Sequence, residues 1–330
     1  MSRFLTPAGR VAVIGTGAVG GVEERRGPHG ESFDLCLADE RAGLPSFELA
    51  EGEMARMALS FALGRAGLDR PDLLFAGDLQ NQCVASAQGP GAVGAPFLGL
   101  FGACSTMVEG LGLAMLALSG AKEIATAAAV TSSHNAAAER QFRTPLEYGA
   151  QRTPTAQWTA TAAGAVVLGR EGNVVMDGFL PGRVVDAEIN DPANMGAAMA
   201  PAAADTLLAY FKESGAAATD FDVILTGDLG REGSDLLALL LKERIPGFCE
   251  RHRDGGCMLY DSSIQDVHAG GSGCGCIASM LAAVLLPRLA RGEIDRVLAV
   301  GTGALMNPAS LQQGGTIAGV AHLVSFRRDV

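Results

Sequence analysis

Hydrophobic and polar positions recur along this chain in two styles: short unbroken apolar runs, and longer stretches with apolar residues at helical spacing. "RVAVIGTGAVG" (10–20) predicts a buried strand that closes in a glycine turn. "ELAEGEMARMALSFALGRAGL" (48–68) predicts a helix. "DRPDLLFAGDLQNQ" (69–82) gives an acidic turn, a short buried strand and a Gly-Asp-Leu exit. "GACSTMVEGLGLAMLALSG" (102–120) gives a small-residue turn and a helix that is apolar nearly all round, so it belongs between layers. "EIATAAAVTSSH" (123–134) adds another strand.

The second half repeats the order. "NVVMDGFLPGR" (173–183), "APAAADTLLAYFKESG" (200–215), "ATDFDVILTGDLGRE" (218–232), "GGSGCGCIASMLAAVLL" (270–286) and "RVLAVGTGALM" (296–306) follow one another in the same sequence of strand, helix, strand, helix, strand. The pattern predicts two pseudo-repeated halves, 1–170 and 171–330. Helices alternating with continuous apolar strands indicate an α/β fold. Two such halves stacked about a pseudo-twofold give five layers, α-β-α-β-α, the thiolase plan.

Composition narrows the function classes. Of 330 residues, 48 % are hydrophobic and 18 % charged, which fits a large buried core. The formal net charge of −11 sets nucleic acid aside, because phosphate needs clustered Lys and Arg. Seven cysteines form no framework; Cys274-Gly-Cys276 is not the paired CxxC of a zinc ribbon, and no metal site is expected. The odd count and the lack of a leader-like start lead us to expect reduced thiols in a cytoplasm. No charge-free apolar run reaches a membrane-spanning length, the stretch at 110–120 being too short. "GTGAVGG" (15–21) looks like a dinucleotide motif, but its acidic partner would have to come from the loop-like "DLCLADE" (34–40). It is read as a strand-exit turn.

Cys104 precedes a helix, where free N–H groups and the dipole favour a thiolate, and Ser105 and Thr106 are placed to cap that end. The alternative is a small buried residue with no chemistry. His134 stands at a strand exit, either as a structural hydrogen bonder or as a pocket donor. Asp78 and Asp228 occupy matching strand exits, where a carboxylate caps a turn or helix. Asp78 has the alternatives of holding a protonated histidine or a cation. "ERQFRTPLEYGAQRTPTAQWT" (139–159) brings Arg140, Arg143, Arg152, Gln157 and Trp158, the chain's one tryptophan, either to a ligand or to packing between halves or dimer partners.

In "FAGDLQNQ" (75–82), "GLFGACSTMVEGL" (99–111), "SSHNAAAERQFRTPLEYGAQRTPTAQWT" (132–159) and "TGALMNPASLQQGGTIAGVAHLVS" (302–325) the chain resembles the stage V sporulation protein AD family, a divergent branch of the thiolase superfamily. The resemblance covers almost the whole chain. It implies binding of dipicolinic acid (pyridine-2,6-dicarboxylate) and a part in moving that acid, with calcium, into the forespore. It also implies a soluble homodimer on the cytoplasmic side, peripheral to the forespore inner membrane, beside other proteins of the stage V sporulation A operon. No cofactor is expected, and calcium only together with dipicolinate. A flat dicarboxylate needs N–H and O–H donors or a guanidinium, and an apolar slot for its ring. The expected site is Cys104, Ser105, His134, Asp78, His268, Asp228, Arg143 and Gln157.

An enzyme of thiolase type needs a thiolate, a base and oxyanion donors. Where related condensing enzymes end the second-half strand in a His or Asn motif, this chain has "TGDLG" with Asp228, whose charge raises a neighbouring thiol's pKa. "DVHAGGSGCG" (266–275) resembles the thiolase His loop and offers His268 as the base-like residue. "VGTGALM" (300–306) has Thr302 where thiolases carry a second cysteine. The set is incomplete, so the expectation is a non-catalytic scaffold. The alternatives are an acyl-CoA-dependent acyltransferase or condensing enzyme using Cys104 with His268, and a scaffold that docks membrane partners.

Overall fold

The computed structural model describes residues 3–142 and 152–329. Its first half holds strand β1 (Ala12–Gly20), helix α1 (Phe47–Ala66), β2 (Leu73–Gly77), β3 (Phe97–Gly99), α2 (Thr106–Gly120), β4 (Ala127–Ser133), α3 (Asn135–Phe142) and β5 (Ala162–Gly169). The second holds β6 (Val174–Leu180), α4 (Met195–Ser214), β7 (Val223–Thr226), α5 (Gly230–Leu241), β8 (His252–Asp254), α6 (Cys274–Ser279), α7 (Leu286–Arg291), β9 (Arg296–Leu305) and β10 (Ala318–Arg328). A π-helical stretch, Met280–Leu285, joins α6 to α7.

Strand order is the same in both halves. The first runs β3-β2-β4-β5-β1 and the second β8-β7-β9-β10-β6. In each half the strand before the last antiparallel partner also pairs in parallel with the short Gly-Asp-Leu strand: β4 with β2, β9 with β7. The halves meet along a two-residue seam, Ala12↔Val175 and Val13↔Val174, so the strands form one continuous path.

Helix α2 touches β4 and β2 of the first half and also β9 and β10 of the second, while α6 packs on β5, β4 and β1. Both therefore lie between the sheet halves, and α1 and α4 cover the outer faces, giving the α-β-α-β-α layering. The nearly all-apolar α2 is in the centre for a physical reason. Met107, Leu111, Met115 and Leu118 are essentially fully buried, and each contributes about 1.5–3 kcal/mol by leaving water. Ala103–Gly120 and Cys274–Arg291 are long and apolar enough to cross a membrane by composition, but 61 % and 72 % of these windows lie inside the protein. Their apolarity matches their place in the core.

"GTGAVGG" is not a turn. Gly15 to Gly20 lie inside β1, and α1 packs so tightly on them that a Cβ at Gly15 or Gly17 would sit 2.1 Å from the carbonyl oxygen of Ala62 or Ala58. The glycines serve helix–strand approach, not chain reversal. Ser46 caps α1 through Leu49 N–H, and Gly67 closes it at φ 67°.

Candidate functional site

The turn Ala103–Ser105 delivers Cys104 to the N-terminal end of α2. Ala103 takes φ 52°, a sparsely populated conformation for a residue with a Cβ. On the facing strand β9 a Cβ at Gly303 would come within 2.7 Å of Gly102 O, so glycine there lets the turn seat. Ser105 and Thr106 do not cap the helix as expected. Ser105 Oγ donates to Gly102 O (2.7 Å) and Thr106 Oγ1 to Ala103 O (2.6 Å), fixing the tight turn instead.

Cys104 is 6 % exposed, with Sγ 3.9 Å from Ser272 Oγ. Burial first, and the charge of Asp228 next, push its thiol well above the ordinary value. Asp228 stands at the exit of β7, fully enclosed. Its Oδ2 accepts from Ser272 Oγ and Gly273 N, both at 3.0 Å, and its Oδ1 from Thr302 Oγ1 at 2.7 Å. Burial raises the acid's own pKa against these bonds. The proton thus stays on sulfur, where a condensing enzyme needs it removed.

Gln157 joins this group through the backbone: Nε2 donates to Asp228 O (2.7 Å) and Gly271 O (2.9 Å). Cys104, Asp228, Gln157 and Ser105 are thus gathered around one turn. His268 faces Asp266 instead, with Nε2 3.1 Å from its carboxylate. The residue that this loop brings to Cys104 is Ser272. The loop passes through His268 at φ 49°, which turns the chain between the two positions.

His134 is committed elsewhere. Nδ1 accepts from Ala136 N–H (3.2 Å), so Nε2 carries the proton and donates to Glu40 O at 2.7 Å. Burial lowers its pKa. Asp78 is likewise saturated by its own loop, accepting from Gln80 N (2.8 Å), Ser86 N (2.7 Å) and Ser86 Oγ (2.6 Å). These bonds are those of the cap reading, and no histidine is among them. Arg143 lies outside the described residues. Among those described, no three His, Cys, Asp or Glu side chains are grouped to hold a metal ion.

Among the described residues, three buried acids escaped the sequence reading. Glu51 on α1 accepts from Gln80 Nε2 (2.7 Å) and Ser132 Oγ (3.2 Å); burial, then the charge of Asp78, push its pKa up to about 8. Asp254 accepts from Leu229 N (2.8 Å), Gly230 N (3.0 Å) and Thr226 Oγ1 (2.7 Å), and burial lifts it to about 7. Glu24, bonded by Tyr260 and by Thr161 N, is raised by burial to about 7. Glu51 carried a readable signal, since an acid at 51 shares the helical stripe of Met54, Ala55 and Ala58. A surface groove of about 1180 Å³, lined by Thr16, Asp34, Arg65, Arg170 and Arg291 among others, shares no residue with the Cys104 site. In it Arg65 is already paired with Asp34.

This architecture is that of thiolase-like proteins. The structure aligns with 3-oxoacyl-(acyl carrier protein) synthase III, FabH, of Pseudomonas aeruginosa PAO1 at TM-score 0.59, 16 % identity, 97 % of this chain and 99 % of that one. It aligns with cerulenin-bound OleA of Xanthomonas campestri at TM-score 0.61, 15 % identity, 95 % of this chain and 96 % of that one. At such identities the likeness concerns the fold. Sequence is more specific. The family model "Stage V sporulation protein AD" matches residues 4–327. Stage V sporulation protein AD of Bacillus subtilis (strain 168) is 42 % identical over 323 residues, 96 % of this chain and 94 % of the relative. The chain belongs to the stage V sporulation protein AD family.

Proposed function

We propose that the chain is a ligand-binding protein of sporulation that has kept a thiolase scaffold without its chemistry, and that it binds dipicolinic acid. The observation that supports this most directly is the Cys104–Asp228 pair: a carboxylate stands beside the cysteine where catalysis requires a base that leaves a thiolate. The pair suits a neutral wall of a pocket, with donors nearby for a carboxylate ligand. In this reading the protein serves dipicolinate uptake into the forespore, calcium arriving only with the acid. It works as a homodimer, peripheral to the inner membrane on its cytoplasmic side and beside partners from the same operon.

Isothermal calorimetry on the purified full chain tests the reading, with micromolar or tighter dipicolinate binding as the expected result. Folded protein that takes up no dipicolinate would sink it. The second reading, acyl transfer through Cys104, is favoured by the cysteine's place ahead of α2. It requires a mass shift on incubation with acyl-CoA that Cys104→Ala abolishes. We expect none, and slow alkylation of Cys104 until strongly alkaline pH.

A further inference from the structure

The segment 152–158 holds two buried donors that the Cys104 network does not use. Arg152 places its guanidinium over the indole of Trp158, with Cζ 5.0 Å from the ring centroid. Its Nη2 is engaged, donating to Asp266 Oδ2 (2.8 Å) and Asp266 O (2.9 Å). Its Nη1 is buried and, among the described residues, has no hydrogen-bond partner, on a side chain only 10 % exposed. Trp158 Nε1 is also buried and without a partner among the described residues.

An unpaired buried N–H costs about 1–3 kcal/mol, and more when the group is charged. Two such donors on one stacked pair are a configuration that a ligand acceptor would relieve. Asp266 steadies the arrangement: it fixes Nη2 from the solvent side, 80 % exposed itself, and also meets His268 Nε2 at 3.1 Å. Arg152 is thereby oriented with one nitrogen of its fork committed and the other buried and unpartnered among the described residues. The neighbouring Gln157, one residue before Trp158, reaches Asp228 O and Gly271 O. The short pairing Trp158–Thr159 with Gly271–Ser272 ties this segment to the loop that touches Cys104.

We propose that Arg152 Nη1 and Trp158 Nε1 form a carboxylate clamp, the anchoring point for one acidic group of a planar aromatic carboxylate. The assignment rests on the ligand-binding reading above and specifies which residues take the charge. At the Cys104–Asp228 end the carboxylate already holds Ser272, Gly273 and Thr302, so those donors are committed and do not serve as that anchor. A guanidinium matches a carboxylate by charge and by fork geometry, and the indole N–H adds a donor without adding charge.

Trp158 is the chain's single tryptophan, so its emission reports on the clamp alone. The full chain is titrated with dipicolinate, with benzoate and with the uncharged dimethyl ester of dipicolinate, following Trp158 fluorescence and binding heat. The two carboxylates are expected to perturb the emission saturably and the ester not to. Arg152→Gln, and Trp158→Phe followed by calorimetry, are expected to weaken both carboxylates at least about ten-fold; Trp158→Phe removes the N–H while leaving an aromatic face for Arg152. Dipicolinate binding with unchanged affinity to both variants overturns the clamp and leaves the ligand reading standing. Benzoate binding that needs Arg152 and Trp158, with no binding of dipicolinate, supports the clamp and removes dipicolinate as the ligand. An emission indifferent to every carboxylate overturns the clamp.

Discussion

Asp78 and Asp228 occupy matching places in the two halves, just beyond a short parallel strand, and they do different work. Asp78 is bound by groups from its own loop, Gln80 and Ser86, within eight residues of it. Asp228 is bound by groups 44 to 74 residues away, Ser272, Gly273 and Thr302, and Ser272 in turn meets the thiol of Cys104. One carboxylate braces a loop; the other ties three elements together at a cysteine. The duplicated backbone sets where an acid can stand, and its neighbours decide what it holds.

The strongest way to break this contrast is a pair of double-mutant cycles. Asp78→Ala and Asp228→Ala should each destabilise by about 3 kcal/mol, because each strands buried donors. Only Asp228→Ala should couple to Cys104→Ala, by about 0.5 kcal/mol or more, since Asp78 shares no hydrogen-bond partner with that thiol. Urea midpoints measure both, and equal coupling would erase the distinction.

A smaller effect comes from Glu51, which lies beside Asp78. Its folded pKa of about 8 exceeds the ordinary glutamate value of 4.5, so between those values the folded state holds a proton that the unfolded chain has released. The stability this gives is full below about pH 4.5 and is lost as pH rises through 8. Glu24 and Asp254, both near 7, act with the same sign. His252 and His322, each lowered to about 4 by burial, act oppositely: their contribution is complete above 6.5 and lost as pH falls through 4. The chain should therefore lose stability on going from pH 6 to 8, and Glu51→Gln should flatten that slope. A slope unchanged in Glu51→Gln would show that the carboxyl does not hold its proton. The smallest effect belongs to His268→Ala. Its partner Asp266 is 80 % exposed, and a pair of that kind contributes less than about 0.5 kcal/mol. A loss several times larger would place His268 in the buried network after all.

Much of the fold was legible because repetition made weak signals agree. The two Gly-Asp-Leu strands, the two buried helices and their order all return in β2, β7, α2 and α6. "GTGAVGG" misled because a glycine that admits a helix reads the same as a glycine that turns a chain; only the nearness of Ala58 and Ala62 separates the two. At the site, the clash of Asp228 with an activated cysteine could be read from residue type alone. The contact of Ser272 with Cys104 could not, because side-chain direction in an irregular loop depends on local dihedrals such as that of His268. Glu51 stood in plain view on an apolar stripe, where the apolar neighbours drew the eye away from the acid.

The sharing of central helices between halves also bears on how the chain is made. Strand β1 pairs with β5, whose residues lie about 150 positions later, and the first half's inner face waits for α6, which begins at residue 274. A ribosome must therefore deliver most of the polypeptide before the early strands are covered on both sides. Long-range pairing of this kind slows folding and prolongs exposure of sticky surface, so synthesis of this protein calls for chaperone protection of the nascent N-terminal sheet.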